Sequence, residues 1–363
     1  MLLGRLSNAS LMISFVVPAH NEEGCLGRTL EAIHGVGREL GIEYEIVVAD
    51  DASTDGTGDV ARGNGARVVR VEHRQIAATR NSGARAALGE RIFFVDADTV
   101  VNARTVAAAL RVMDKGAVGG GAPVWVEGPV PLYVRVIELF GGIGCTLVGF
   151  TGGAFMFCTR EAFDATGGFN ERVYWAEEGF MTMALRREGK FVVLWERVLT
   201  SGRRFRKNSG SELLGGFLKA IVSPVKMVTR RASVEKIWYD SDRTEDERMP
   251  SSLAVRVSNG IALVVMLILV TGPLWNFVPH SLTPWSSVLG KFRFVTAVLL
   301  VHAGLLLLPV AAVLFVNLLR QKRWTGILQS VLVIAFCSWQ GWGAANGVVW
   351  VWTEIGISVG SLL

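Results

Sequence analysis

Residues 96–98 read Asp-Ala-Asp and close the apolar run 92–95. A carboxylate left at the edge of a core costs free energy unless a cation, a hydrogen-bond donor or a helix start answers it. Two further acidic clusters end apolar runs in the same way: Pro18-Ala19-His20-Asn21-Glu22-Glu23, and Asp50-Asp51-Ala52-Ser53-Thr54-Asp55-Gly56-Thr57. Asn21, Asp55 and Thr99 could each cap a following helix, but capping does not call for adjacent carboxylates on several strands. Acids facing one crevice repel one another unless a metal cation or a ligand's donors offset them. A nucleotide-sugar brings both kinds of partner: base N–H and ribose hydroxyls for carboxylates, and a diphosphate that a divalent cation neutralises as it leaves. If 96–98 is extended, alternate side chains point the same way, so that one aspartate takes ribose and the other the metal.

The elements that must position these groups follow from hydrophobic periodicity. Strand-like runs MISFVVPA, YEIVVAD, ARVVRVE and RIFFVDAD alternate with helical patterns over 22–40, 56–63 and 76–88. Alternation of this kind predicts an α/β fold with a mostly parallel sheet covered on both faces. Ligands of such sheets bind beyond the carboxyl ends of the strands, where the acidic clusters fall.

Three other stretches carry candidate chemistry. TGGAFMF, with Gly152, Gly153 and Ala154, is a side-chain-poor segment along which an acceptor could approach closely, or a tight turn before a buried strand. Arg203 and Arg204 in SGRRF could clamp a diphosphate or form a cationic, membrane-facing surface. Glu177 and Glu178 in YWAEEGF precede a predicted helix over 180–187, whose start would favour negative charge.

The chain of 363 residues carries a formal net charge of +5 and is 50% hydrophobic, with a mean hydropathy of +0.38. Its apolar residues are uneven: 261–278, 292–319 and 326–352 are nearly free of charge, with Trp275, Trp285, Trp324 and Trp352 at their margins. At about 1.5 Å per residue each can cross a hydrocarbon core of about 30 Å, predicting an all-α region of three transmembrane helices over 258–278, 292–319 and 326–352. Arg256, Arg320, Lys322 and Arg323 place the N-terminal domain on the cytoplasmic side. No cleavable signal peptide is expected, because the N-terminal apolar run is short and leads straight into the first strand. Cys25, Cys145, Cys158 and Cys337 lack metal or disulfide spacing, as in a reducing compartment. Cations in SGRRFRKNSG and VKMVTRRASVEK suit anionic lipid. The expected organisation is a catalytic domain over 1–205, a basic interfacial linker over 206–252 and the membrane region over 253–363.

VVPAHNEE, VVADDASTDGT, TRNSGARAALGERIFFVDADT, TGGAFMFCTREAFDATGGFNER and WAEEGFMTMALRREGK stand in that order within 12–205. In these motifs and their spacing the chain resembles the family 2 glycosyltransferases, with their A-type nucleotide-sugar fold. The resemblance implies a nucleoside-side loop at Pro18, His20 and Glu22, with Asp50, beside Asp51, accepting from the base. Arg80 would lie on the phosphate side, and Asp96 and Asp98 would be the ribose and metal ligands. The metal would be Mn2+ or Mg2+, since oxygen ligands favour hard cations. Glu178 stands where the family has its base aspartate, and Glu177 where it has the preceding glutamate.

The expected enzyme is an inverting glycosyltransferase. Glu178 would deprotonate an acceptor hydroxyl of a lipid-linked or membrane-associated acceptor, and one sugar would be added per acceptor. A processive polysaccharide synthase, or a non-catalytic membrane scaffold with a degenerate nucleotide-binding domain, are the competing readings. A nucleotidyltransferase lacks support, as no Gly-x-x-x-x-Gly-Lys loop occurs. RQKRW at 320–324 has the wrong spacing for a processive-synthase signature and reads as a basic interfacial loop.

Overall fold

The computed structural model describes residues 12–136 and 151–207, together with a few isolated positions and the stretch 255–260. The chain divides into two units, 1–260 and 261–363. Almost all of the three predicted membrane spans, most of the linker over 206–252, and the Arg204 side chain lie outside the described residues. Among the described residues no helix is long and apolar enough to cross a membrane.

The elements in chain order are β1 (Ile13–Ala19), α1 (Glu23–Leu40), β2 (Tyr44–Asp51), α2 (Thr57–Gly63), β3 (Arg67–Val71), α3 (Ile76–Ala86), β4 (Arg91–Val95) and β5 (Thr99–Val100). There follow α4 (Ala103–Asp114), β6 (Ala117–Gly121), β7 (Val124–Glu127), β8 (Phe155–Thr159), α5 (Arg160–Thr166), α6 (Glu177–Glu188), β9 (Lys190–Val193), β10 (Val198–Ser201) and α7 (Arg203–Lys207). The main sheet has seven strands in the order β3-β2-β1-β4-β8-β6-β9. Strands β3, β2, β1 and β4 run parallel, and β8 runs antiparallel to both β4 and β6. The expectation of an α/β, mostly parallel sheet is met. A three-stranded sheet, β5-β10-β7, stands beside it.

All seven residues of β1 are buried, as a strand covered on both faces requires. Its side chains alternate between two apolar layers. Phe15 and Val17 join Phe93, Phe155, Phe157, Leu26 and Leu110 on one face, while Val16 joins Phe94, Met156, Phe163 and Leu185 on the other. Phe15 and Phe93 lie 5.3 Å apart, and Phe94 meets Phe169 edge-on at 4.9 Å. Burial of each such ring contributes about 1.5–3 kcal/mol.

Two features aim this scaffold at one edge. The reversal of β8 brings its entry segment, 152–154, to the edge where β1, β2, β3 and β4 end, and Asp96 N donates to Ala154 O at 3.2 Å. Helix α3 lies close on the sheet because Gly83 has no side chain: a Cβ there would come within 2.5 Å of Val16 Cγ1. That close approach carries Arg80, one turn earlier, under the same edge.

Candidate active site

Four non-glycine residues adopt left-handed backbone among the described positions: Asn21 (φ 52°), Ala52 (φ 54°), Arg74 (φ 52°) and Ala176 (φ 59°). The first three follow the ends of β1, β2 and β3, and the fourth immediately precedes α6. Strain of this kind persists only where surrounding structure enforces it, and it concentrates at functional sites.

The first two strand ends are locked to each other. Asn21 Oδ1 accepts from Thr54 N (2.8 Å), and Asn21 N donates to Ser53 Oγ (3.0 Å). Asp55 accepts from Glu23 N (3.2 Å) and Thr57 N (3.0 Å), while Glu23 Oε2 accepts from Gly56 N (2.9 Å). The starts of α1 and α2 are therefore satisfied across the gap, so the capping expected of Asn21 and Asp55 is partly reciprocal rather than local. Burial pushes the Asp55 carboxyl up, but the Thr57 hydroxyl and amide donors outweigh it and hold the group below its ordinary range. Thr99 caps nothing, since it lies in β5 and the cap of α4 is Asn102, which accepts from Thr105 N.

Asp50 and Asp51 diverge. Asp50 is fully buried and accepts from Ser53 N (3.2 Å) and Arg70 Nη1 (3.3 Å). Asp51 accepts from Arg74 N (2.8 Å), Gln75 N (3.1 Å) and Thr79 Oγ1 (2.5 Å). In the ligand-free chain the second aspartate thus pins the start of α3, a structural employment that the sequence reading of Asp51 did not include. His20 Nδ1 lies 2.7 Å from Asp51 O, and Arg74 Nη1 lies 2.6 Å from His20 Nε2. Pro18 pairs with Ala49 inside the sheet.

Asp96 and Asp98 do not project to the same side. Strand β4 ends at Val95, and Thr99 N donates to Asp96 O at 3.0 Å, so the segment is a turn rather than extended. Asp96 turns inward: its Oδ1 accepts from Arg80 Nη2 at 2.8 Å. Asp98 turns the other way, toward Thr200 Oγ1 (3.4 Å) and Arg203 Nη2 (3.2 Å). The turn thereby serves two separate cationic clusters.

In the first cluster Arg80, its side chain 3% exposed, bridges two carboxylates. Its Nη1 donates to Glu177 Oε1 at 2.8 Å, its Nη2 also reaches Gly153 O at 3.2 Å, and the Phe169 ring lies 5.3 Å away. In the ligand-free chain both terminal nitrogens face protein acceptors. Helix α6 begins at Glu177, earlier than the predicted start at 180, so Glu177 and Glu178 occupy its first turn. Glu178 is half-buried. Lost hydration, then the neighbouring Glu177 charge, push its carboxyl up to about 8, against the pull of Arg80 and with a smaller push from Asp96. A carboxyl so poised is suited to taking a proton near neutral pH.

Gly153 is required where it stands: a Cβ would come within 2.8 Å of Arg80 Nη2, whereas at Gly152 it would meet nothing within 4 Å. Gly153→Ala should therefore destabilise the fold by about 1–3 kcal/mol through overpacking against an immobilised guanidinium, and Gly152→Ala by less than about 0.5 kcal/mol. Thermal unfolding of the two variants checks this, and equal midpoints would contradict it.

Several site neighbours were not anticipated. Gln75 Nε2 donates to Glu171 O and Val173 O, and Asn81 holds Phe169 through N–H and C=O alike. Gln75 immediately precedes α3 and Asn81 lies on it next to Arg80, whose helical spacing was the one available signal. Thr200 gave none.

Among the described residues no group of three or more His, Cys, Asp or Glu side chains is arranged to hold a metal. Asp98 nevertheless suits a hard divalent cation that draws its remaining oxygens from a diphosphate, and a cation, the Arg203 guanidinium, already rests against it.

Residues 14–165 match the family model described as Glycosyl transferase family 2. Validoxylamine A glucosyltransferase of Streptomyces hygroscopicus subsp. jinggangensis is 32% identical over 106 residues, covering 27% of this chain and 25% of that protein. Its counterpart from subsp. limoneus is 32% identical over 108 residues, covering 27% and 23%. The chain thus spans about a quarter of the length of these relatives. Among solved structures, glucosyl-3-phosphoglycerate synthase from Mycobacterium tuberculosis, in complex with Mn2+, uridine diphosphate and glucosyl-3-phosphoglycerate, is 22% identical with a TM-score of 0.41, covering 60% of this chain and 79% of that one. TarS 1–349 of S. aureus is 16% identical with a TM-score of 0.42, covering 73% and 82%.

Proposed function

We propose that this glycosyltransferase family 2 domain is the catalytic part of a membrane-bound inverting enzyme that moves a sugar from a nucleotide-diphosphate sugar to a lipid-linked or membrane-associated acceptor. The observation that carries the reading is the juxtaposition at one sheet edge. There, Glu178, with its raised proton affinity, neighbours the Glu177–Arg80–Asp96 bridge, while Asp98 on the same turn faces away to a second cation.

In this reading Glu178 takes the proton of an acceptor hydroxyl as that oxygen attacks the anomeric carbon. Arg80 holds Glu177 and Asp96 so that Glu178 keeps its position and its affinity for the proton. Asp96 retains an outward-facing share of its carboxylate, 33% exposed, for a ribose hydroxyl. Pro18, His20, Glu22, Asp50 and Asp51 shape the nucleoside end, and Arg203 with Arg204 serve the diphosphate. Asp98 would hold Mn2+ or Mg2+, whose chemistry is to neutralise the departing diphosphate. The segment Gly152-Gly153-Ala154 forms the acceptor side, where few side chains obstruct approach.

The membrane part of the proposal rests on sequence. Charge-poor stretches over 258–278, 292–319 and 326–352 follow a basic linker over 206–252, and the basic residues flanking them put the catalytic domain, 1–205, in the cytoplasm with the chain anchored in an inner membrane.

The experiment is transfer of label from a panel of nucleotide-sugars in membranes containing the full chain, with products partitioned between organic and aqueous phases. Label in the organic phase is expected from one donor. Label confined to a high-mass polymer would replace single addition by processive synthesis, and no label from any donor would contradict the proposal.

A further inference from the structure

Arg203 opens α7 and occupies an unusual position for a diphosphate ligand in waiting. Its Nη2 lies 2.7 Å from Glu22 Oε1 and 3.2 Å from Asp98 Oδ2, and its Nη1 donates to Cys25 Sγ at 3.5 Å. The cluster is largely withdrawn from water, with side chains 12%, 4% and 20% exposed for Arg203, Glu22 and Asp98. Three separate parts of the chain meet here: the end of the β1 loop, the turn after β4 and the start of α7, two residues after β10. The β10 segment grips Asp98 twice more, through Thr200 Oγ1 on Oδ1 at 3.4 Å and Ser201 N on the backbone oxygen at 3.2 Å.

A Mg2+ ion bound by Asp98 would have to approach an oxygen to about 2.0–2.1 Å. The Oδ2 oxygen already faces a guanidinium, and two cations at one carboxylate repel strongly where water is scarce. Loading Asp98 with a metal is then an exchange of cations rather than an addition. Glu22 gives the displaced guanidinium a tether, and an arriving diphosphate gives it a planar, two-oxygen partner suited to its fork.

We propose that Arg203 is the resident cation of the metal position: it holds the Asp98 carboxyl group in place in the ligand-free enzyme, disfavours the divalent ion until the diphosphate draws it away, and so makes metal and donor bind as a coupled pair. This deepens the proposed function and rests on its assignment of Asp98. The coupling is reciprocal, so whatever frees Asp98 of Arg203 favours the metal to the same degree that the metal favours the displaced guanidinium.

The test is Mn2+ binding to the full-length chain without nucleotide, followed by the loss of the free-ion electron paramagnetic resonance signal. Wild type, Arg203→Gln, Arg203→Lys and the double variant Arg203→Gln, Asp98→Asn are compared after thermal unfolding shows that each is folded. Arg203→Gln is expected to bind Mn2+ about tenfold more tightly than wild type, a coupling of ordinary size. Arg203→Lys should fall between them, because an ammonium keeps the charge but cannot bridge both carboxylates. It also carries the test if the glutamine variant does not fold. Binding by Arg203→Gln no tighter than wild type would overturn the inference and leave Arg203 as a pin for β10. A lysine variant identical to wild type would reduce the effect to local charge and overturn the bridging role. Should the double variant Arg203→Gln, Asp98→Asn bind Mn2+ as tightly as Arg203→Gln does, the metal assignment itself fails. That result is distinguishable from failure of the exchange alone, in which Arg203→Gln binds no tighter than wild type.

Discussion

Replacing Arg80 by methionine should lower the stability of the fold by about 3 kcal/mol, toward the lower end of what removal of one partner from a buried ion pair costs. The guanidinium is 3% exposed, and Glu177 only 9%, so the substitution leaves one carboxylate buried beside another without its counter-charge. Partial exposure of Asp96, at 33%, lets water compensate some of the loss and sets the lower end of the range. The double variant Arg80→Met, Glu177→Gln should be more stable than the single one, since the residual charge rather than the missing contact is the penalty. Arg80→Lys should recover only part, because an ammonium cannot fork to both acids. Thermal unfolding midpoints measure all three. A single-variant loss below about 1 kcal/mol, or a double variant worse than the single, would contradict the bridge.

Glu178→Gln should reduce the transfer rate by about 10²- to 10⁴-fold while leaving donor affinity nearly unchanged, as expected when a positioned proton acceptor is removed. The wild-type kcat/KM should climb with pH through about 8, where the Glu178 carboxyl of the free enzyme ionises. The glutamine variant should lack that limb. The sign follows from the surroundings: desolvation and the Glu177 charge favour the protonated form, and Asp96 adds to them, while Arg80 and a backbone N–H donor at Glu178 oppose. At pH 7 only about a tenth of the groups would be ionised. Folding prefers the proton on, so Glu178 contributes its full stability below the ordinary glutamate range, and this is lost as pH rises through about 8. A flat profile in wild type, or an unchanged rate in the variant, would remove Glu178 from proton transfer.

The sheet was legible because its strands are continuous apolar runs punctuated by Pro18-Ala19, Asp50-Asp51 and Asp96-Ala97, and because burial on both faces demands such runs. The gathering of acids at one edge was legible for the same reason, since those runs end in acidic clusters where ligands of such sheets bind. What sequence could not supply was direction. The 96–98 segment reads as a continued strand, and only the hydrogen bond from Thr99 N to Asp96 O, which closes a turn, sends its two aspartates to different cations. Arg80 reads as a phosphate ligand by type, yet its placement depends on how closely α3 approaches β1 at Gly83, a tertiary distance with no local signal. Reciprocal satisfaction of α1 and α2 by Asp55 and Glu23 is invisible for the same reason, since its partners lie 32 and 33 residues apart. The start of α6 was placed too late because Ala176, in left-handed backbone, is an uncommon residue to precede a helix.

The central claim is that this sheet edge transfers sugar from a nucleotide donor with a divalent cation held at Asp98. It is tested most directly by label transfer in membranes containing the full chain, with and without Mn2+, for wild type and Asp98→Ala. Thr200 and Arg203 keep other partners, Thr99 and Glu22, in the variant, so the fold should survive. The expected result is Mn2+-dependent label in wild type that vanishes in Asp98→Ala; transfer at the wild-type rate by Asp98→Ala would contradict it.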